Sequence, residues 1–230
     1  MSFIELRQVE FCYPRQSSPA VTDINLKLEK KAITAVVGPN GSGKTTLTRL
    51  IIGILPPDKG EIYLTRSPLA RYTLAEVGAR IGYIFQNPDL QLFCPSVAEE
   101  IAFGLSRAGQ GPQWIKEKVD FFLEYFELDG YRNSFPMHLS QGEKQRLAIA
   151  AVLAHEPEYL ILDEPTIGLD AFRKKQLVEY LHKVAGLGRG MLLVSHDMAF
   201  VNKLAERLIS MENGRIQSDS ERRGRLLNEG

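Results

Sequence analysis

Ile24, Leu26 and Leu28 alternate with Asn25 and Lys27, the period-two spacing of a strand with one buried face. Residues 32–37 (AITAVV) are instead a nearly unbroken apolar run ended by Gly38, the pattern of a strand covered on both faces. Past Gly43 the period changes. Leu47, Leu50, Ile51 and Ile54 fall at helical spacing and Pro56-Pro57 stops the run, so a helix is expected over 44–55. Further buried strands are expected over 81–85, 159–163 and 191–195. Between the first two of these, 97–105, 114–126 and 143–154 have helical spacing with turn residues between them. Residues 87–155 therefore read as a helical insertion in an α/β core. Ser2-Phe3-Ile4-Glu5 already alternates like a strand, so no leader is read there. The polar stretch after Gly214 is expected to be frayed or a short helix. No internal repeat is found.

The length, 230 residues, suits one large α/β domain or two small ones, and it is enough to fold without disulfides. Hydrophobic residues at 44% and charged residues at 24% exclude a disordered chain. Lys+Arg and Asp+Glu both total 28, so no global charge draws the chain to nucleic acid or anionic lipid. The longest apolar run, 148–154, falls far short of the roughly 18 residues of a membrane span. The chain is thus expected to be cytosolic unless something else holds it at a membrane. Cys12 and Cys94 lack metal-ligand spacing and are read as reduced core thiols. His138, His155 and His182 also lack such spacing and are read as surface or partly buried.

Two motifs carry chemistry. Gly38-Pro39-Asn40-Gly41-Ser42-Gly43-Lys44-Thr45 matches G-x-x-x-x-G-K-[ST], between a buried strand and a helix. The glycines let backbone N–H groups turn inward onto phosphate oxygens, the helix N-terminus adds partial positive charge, and Lys44 supplies a full one. Thr45 offers its hydroxyl to Mg²⁺, and Thr46 beside it is counted with the nucleotide-binding residues. The second motif is Asp163-Glu164-Pro165 at the end of the apolar run 159–162. A buried strand would deliver Asp163 to its C-terminal end, where open α/β sheets bind ligands. There Asp163 would hold Mg²⁺ and Glu164 would orient or deprotonate an attacking water. No Asn-Lys-x-Asp guanine-reading element is present, which favours ATP over GTP.

Residues 139–148, Leu139-Ser140-Gln141-Gly142-Glu143-Lys144-Gln145-Arg146-Leu147-Ala148, resemble the signature motif of ABC ATPases. Other landmarks of that family follow in order: Gln86 after a strand, Gly168-Leu169-Asp170 after the acidic pair, and His196 at the end of a later strand. The resemblance spans residues 3–216 and implies a P-loop core with a mostly parallel sheet, an N-terminal antiparallel β subdomain and the helical insertion. Domain limits of 1–216 for the ATPase and 217–230 for a polar tail follow. By resemblance Gln86 contacts the metal or the attacking water, His196 contacts the γ-phosphate, Asp170 organises a dimer seam, and Tyr13 stacks on adenine. The signature departs from the commonest form, with Gln141 in place of a glycine and Glu143 in place of a glutamine. Ser140-x-x-Glu143 before an apolar helix is also a capping box, and the two readings are compatible.

In this family two domains pair head-to-tail, so Ser140, Gly142 and Glu143 would complete the site of another chain, identical or paralogous. Residues 85–93 (FQNPDLQLF) and 96–104 (SVAEEIAFG) are similar to the ATPases of energy-coupling-factor (ECF) importers of vitamins and transition-metal ions. That likeness implies an ATPase on the cytoplasmic face of the cell membrane. It would be peripheral, held by a transmembrane coupling subunit that works with a substrate-binding membrane subunit, and it would have no nucleic-acid partner. Another ABC transporter, or a soluble ABC ATPase, is the alternative. Leu90, Leu92 and Phe93 are expected to be exposed and to dock the membrane subunit; packing of Leu92 and Phe93 in the helical subdomain is the bland reading of the same residues.

Overall fold

The computed structural model describes residues 2–222. A four-stranded antiparallel sheet is built from β1 (Ser2–Phe11), β2 (Val21–Glu29), β4 (Lys59–Leu64) and β5 (Ser67–Pro68), in the order β2-β1-β4-β5. The central sheet holds β3 (Ile33–Val37), β6 (Ile81–Ile84), β7 (Tyr159–Asp163), β8 (Gly190–Val194), β9 (Arg207–Glu212) and β10 (Arg215–Glu221), in the order β10-β9-β3-β8-β7-β6. All its pairings are parallel except β9 with β10.

The unbroken apolar character of the central strands follows from two cores, one on each face of the sheet. On β3, Ala35 faces one core and Val36 the other; on β8, Leu193 and Val194 divide the same way. One core lies between the two sheets and takes Leu47, Leu50 and Ile51 of α1 (Lys44–Ile51). The short α2 (Leu74–Arg80) follows β5. The other core is covered by helices. These are α3 (Val97–Arg107), α4 (Pro112–Tyr125) and α5 (Gln141–Ala154), all between β6 and β7, then α6 (Ala171–Gly186) and α7 (Met198–Leu204). Because β3, β8 and β7 are neighbours, the loops after Val37, Asp163 and Val194 open at one edge of the sheet.

Four expectations need correction. The first helix ends at Ile51 rather than 55, because the Gly53 N–H turns back to the Leu50 carbonyl at 3.1 Å, in a left-handed conformation. The stretch after Gly214 is neither frayed nor helical over 215–221: it is the strand β10. Asn213 and Gly214, at φ 49° and 75°, make the two-residue turn that folds β10 back on β9, and polar residues suit a sheet edge. Residues 223–230 of the expected tail lie outside the described residues. Leu92 is not exposed; it is 4% exposed and packs with Val97 and Ile101, whereas Leu90 and Phe93 on either side are 65% and 63% exposed. Cys94 is buried as expected, but Cys12 is only half-buried, its thiol directed at loop carbonyls of Gln16 and Ser18.

Candidate active site

The loop 38–43 leaves β3 and enters α1 without a side-chain cap. Five other helices, α2, α3, α5, α6 and α7, are capped by Thr73, Ser96, Ser140, Asp170 and Asp197, and α4, which also lacks a side-chain cap, begins on Pro112 instead. The first N–H groups of α1 therefore have no side-chain acceptor, and nothing acidic lies in its first turn. That is the arrangement a phosphate satisfies. Lys44 is buried, with Nζ donating to the carbonyls of Gly38 and Pro39 at 2.8 and 3.0 Å. Tyr13 packs edge-on against Phe11 and bonds through its hydroxyl with Thr46 Oγ1 at 3.3 Å.

Asp163 and Glu164 arrive from the next strand but one. Tyr83, on β6, donates its hydroxyl to Asp163 Oδ2 at 3.2 Å and bonds Thr48 Oγ1 of α1 at 2.9 Å. The other carboxylate oxygen, Oδ1, is buried and has no hydrogen-bond partner. Burial pushes the Asp163 carboxyl above the ordinary range, and the hydroxyls of Thr45 and Tyr83 partly oppose this. Glu164 sits at φ 51°, its N–H bonded to Val194 O at 2.8 Å. Its carboxylate accepts from Ser195 Oγ at 3.1 Å and from the His196 N–H at 3.1 and 3.3 Å, and it lies 2.9 Å from His196 Nδ1. A non-glycine residue held left-handed beside such a network is strain kept at a site by its surroundings.

A cleft of about 690 Å³ collects Tyr13, Lys44, Thr45, Gln86, Asp163 and Glu164, together with Asn40, Gly41, Gly43 and Thr46. Gly38, Pro39 and Ser42, in the same loop, do not line it, although Gly38 and Pro39 hold Lys44 through their carbonyls, and His196 meets it only through Glu164. Ser140, Gly142, Glu143 and Asp170 do not line it. Ser140 and Glu143 form the capping box, with Ser140 Oγ donating to Glu143 Oε2 at 2.7 Å, and Asp170 caps α6. Sequence reasoning missed Gln16, Ser18 and Asn213-Gly214 on the cleft wall, as well as Tyr83 and Ser195. The Asn-Gly pair was the available signal for the β9–β10 turn. Tyr83 had none, since its partners are 35 and 80 positions away. Among the described residues no helix is long and apolar enough to cross a membrane, and no cluster of three or more His, Cys, Asp or Glu could hold a metal.

The ABC transporter family profile matches residues 21–167. The energy-coupling factor transporter ATP-binding protein EcfA of Methanothermobacter thermautotrophicus is 40% identical over 215 residues, covering 93% of this chain and 69% of that protein. A putative ABC transporter ATP-binding protein of Methanosarcina acetivorans is 41% identical over 211 residues, 91% of this chain; this chain spans only 34% of that relative's length. Among solved structures, a dimeric ATP-binding cassette in a post-hydrolysis state, bound to ADP and Pi, superposes with a TM-score of 0.86 at 26% identity, covering 96% of this chain and 99% of that one. An uncapped phosphate loop beside an acidic pair, a signature helix and a family match over most of the chain agree: this chain belongs to the ABC transporter family of ATP-binding ATPases.

Proposed function

We propose that this chain binds ATP in the cleft, shares each site with a second ABC ATPase chain, and drives a membrane importer of the ECF type for a vitamin or a transition-metal ion. The observation that carries the shared site is the separation described above: the phosphate loop, acidic pair and Gln86 meet in one cleft, while Ser140 and Gly142 lie outside it. A signature that cannot serve its own cleft suits a head-to-tail partner, and the dimeric relative supports the same reading.

In this reading the N–H groups of 41–45 and the Lys44 ammonium hold the β- and γ-phosphates, Tyr13 stacks on the adenine, and Glu164 takes a proton from the water that attacks the γ-phosphate. His196, tied to Glu164, reaches the γ-phosphate from the same side. The donor set fits Mg²⁺: the Asp163 oxygen without a partner, the Thr45 hydroxyl and Gln86 border one cleft. Held by Asp163 and Thr45, the ion would offset charge on the β- and γ-phosphates. Ser140 and Gly142 of the partner meet the γ-phosphate only when the two chains close, so ATP favours closure by binding that state better.

A second cavity, of about 480 Å³, supports the membrane partner. It lies among α2, α3 and α5, and Phe93 and Phe103 stack edge-on at its wall with centroids 4.8 Å apart. Gln91 links it to the nucleotide side, accepting from the Phe85 N–H at 3.3 Å and donating to the Ala148 carbonyl at 3.1 Å. A membrane-subunit helix docked there would cover the exposed Phe93 and would feel movement beside Gln86. The ECF assignment rests on the similarity to EcfA and on residues 85–104. In this reading the chain works at the cytoplasmic face, peripheral to the membrane. Purification of the tagged chain from its own membranes, with every bound subunit sequenced, tests this. A coupling subunit together with a small substrate-binding membrane protein is the expected set. A pair of long transmembrane subunits without a separate substrate-binding membrane protein would contradict the ECF reading.

A further inference from the structure

The first turns of α5, which carry Ser140 and Gly142, are fastened to the loop after Glu164 at successive levels. At the tip, a Cβ on Gly142 would sit 2.8 Å from the Gly168 carbonyl oxygen, so the two backbones touch. Further along, the buried Gln145 donates from Nε2 to the Pro165 carbonyl at 3.3 Å. Next, Arg146, only 6% exposed, donates from Nη1 to the carbonyls of Phe126 and, at 3.0 Å, of Glu127. Glu127 then closes the circuit. Its Oε2 accepts from Arg173 Nη2 at 2.7 Å, and Arg173 grips Asp170 through Nη1. Asp170 in turn caps α6 by accepting the Arg173 N–H at 2.9 Å.

Glu127 holds this place with φ at 52°, a conformation costly for a residue with a Cβ. Its carboxylate is the negative charge beside two guanidiniums: Arg173 in direct contact and Arg146 3.9 Å away. Burial, and then the charge of Arg173, press the Arg146 guanidinium below its ordinary pKa. Removing the carboxylate would leave Arg173 held by Asp170 alone, would take away one of the charges that offset the repulsion between Arg173 and Arg146, and would free Arg173 from α4's end of the circuit.

We infer that Glu127 is a positioning residue that locks the signature turn of α5 and the Asp170 loop into one rigid unit, so that a partner chain's site receives both together. The inference rests on the shared-site reading above. The effect of losing Glu127 then appears in the partner's cleft and not in Glu127's own.

Mixed dimers test this directly. When a Lys44→Ala chain pairs with a Gly142→Asp chain, one site keeps an intact phosphate loop from the second and an intact signature from the first. Glu127→Ala added to the Lys44→Ala chain is expected to lower the ATPase rate of the mixed dimer about tenfold, the scale of mutations within coupling networks. Added to the Gly142→Asp chain, whose signature is already disabled, it is expected to leave the rate unchanged. A residue that merely supported its own fold would act in either placement. Should Glu127→Ala fail to fold, the same two placements are compared with Glu127→Gln, which keeps an acceptor for Arg173 and is expected to cost about threefold in the first placement only. Equal losses from both placements, or none from either, overturn the inference. No ATPase in the parent pair overturns the shared-site reading, and the inference falls with it.

Discussion

Glu164 is gripped from behind by Ser195 and the His196 N–H, which holds its carboxylate in the wall of the cleft beside Gln86 and Lys44. Glu164→Gln keeps the shape and an acceptor for those donors but gives up the base. It is expected to leave ATP affinity near wild type and to slow phosphate release by about 10² or more, the usual scale of general-base removal. Single-turnover phosphate release checks this, and a wild-type rate would move the base elsewhere. At this scale the sequence was readable wherever the chemistry is contiguous: residues 38–45 and 163–164 announce themselves as runs. It was silent where a contact joins distant positions. Tyr83 bonds Thr48 and Asp163, and Glu127 bonds Arg173, and no local pattern marks either tyrosine or glutamate.

The elements were legible in proportion to how strongly burial stamps them. Residues 159–162 are apolar because both faces of β7 are covered, and the strand expected over 159–163 coincides with the observed one. The two neighbours Leu92 and Phe93 were not separable, because an apolar pair in a short loop carries no period. The fold separates them: Leu92 points into the helical core and Phe93 into the second cavity. Leu92→Asp is therefore expected to lower the melting temperature by many degrees or to abolish folding, since it buries an unpaired charge. Phe93→Asp is expected to fold normally and to lose copurification with membrane subunits. Thermal melts of both proteins, with pull-downs of the second, check the pair. A stable Leu92→Asp, or a Phe93→Asp that still recruits its subunits in full, would contradict this division of roles.

The two sheets of the molecule are joined at one corner by Glu158. Its carboxylate accepts from Arg80 Nε at 2.8 Å and from Lys30 Nζ at 2.8 Å, and Lys30 lies between β2 of the first sheet and β3 of the second. The hydrogen bond from Arg80, aided by Lys30, lowers the Glu158 pKa from 4.5 to about 2. A carboxyl depressed in the folded state contributes stability above its unfolded pKa and loses it as pH falls through the folded one. Stability is thus expected to decline between about pH 4.5 and 2, and Glu158→Gln should flatten that part of the curve. Denaturant titrations of both proteins across this window test it, with an unchanged slope as the contrary result. At the scale of the assembly, the proposed site spans two molecules, with the γ-phosphate bound by one chain to be met by the signature of the other. A photoreactive group on the γ-phosphate of ATP reports this when only one chain of a mixed dimer binds nucleotide, its partner carrying Lys44→Ala. The expected crosslink joins the analogue to residues 140–143 of the Lys44→Ala chain; a crosslink to 140–143 of the chain that holds the nucleotide would contradict the shared site.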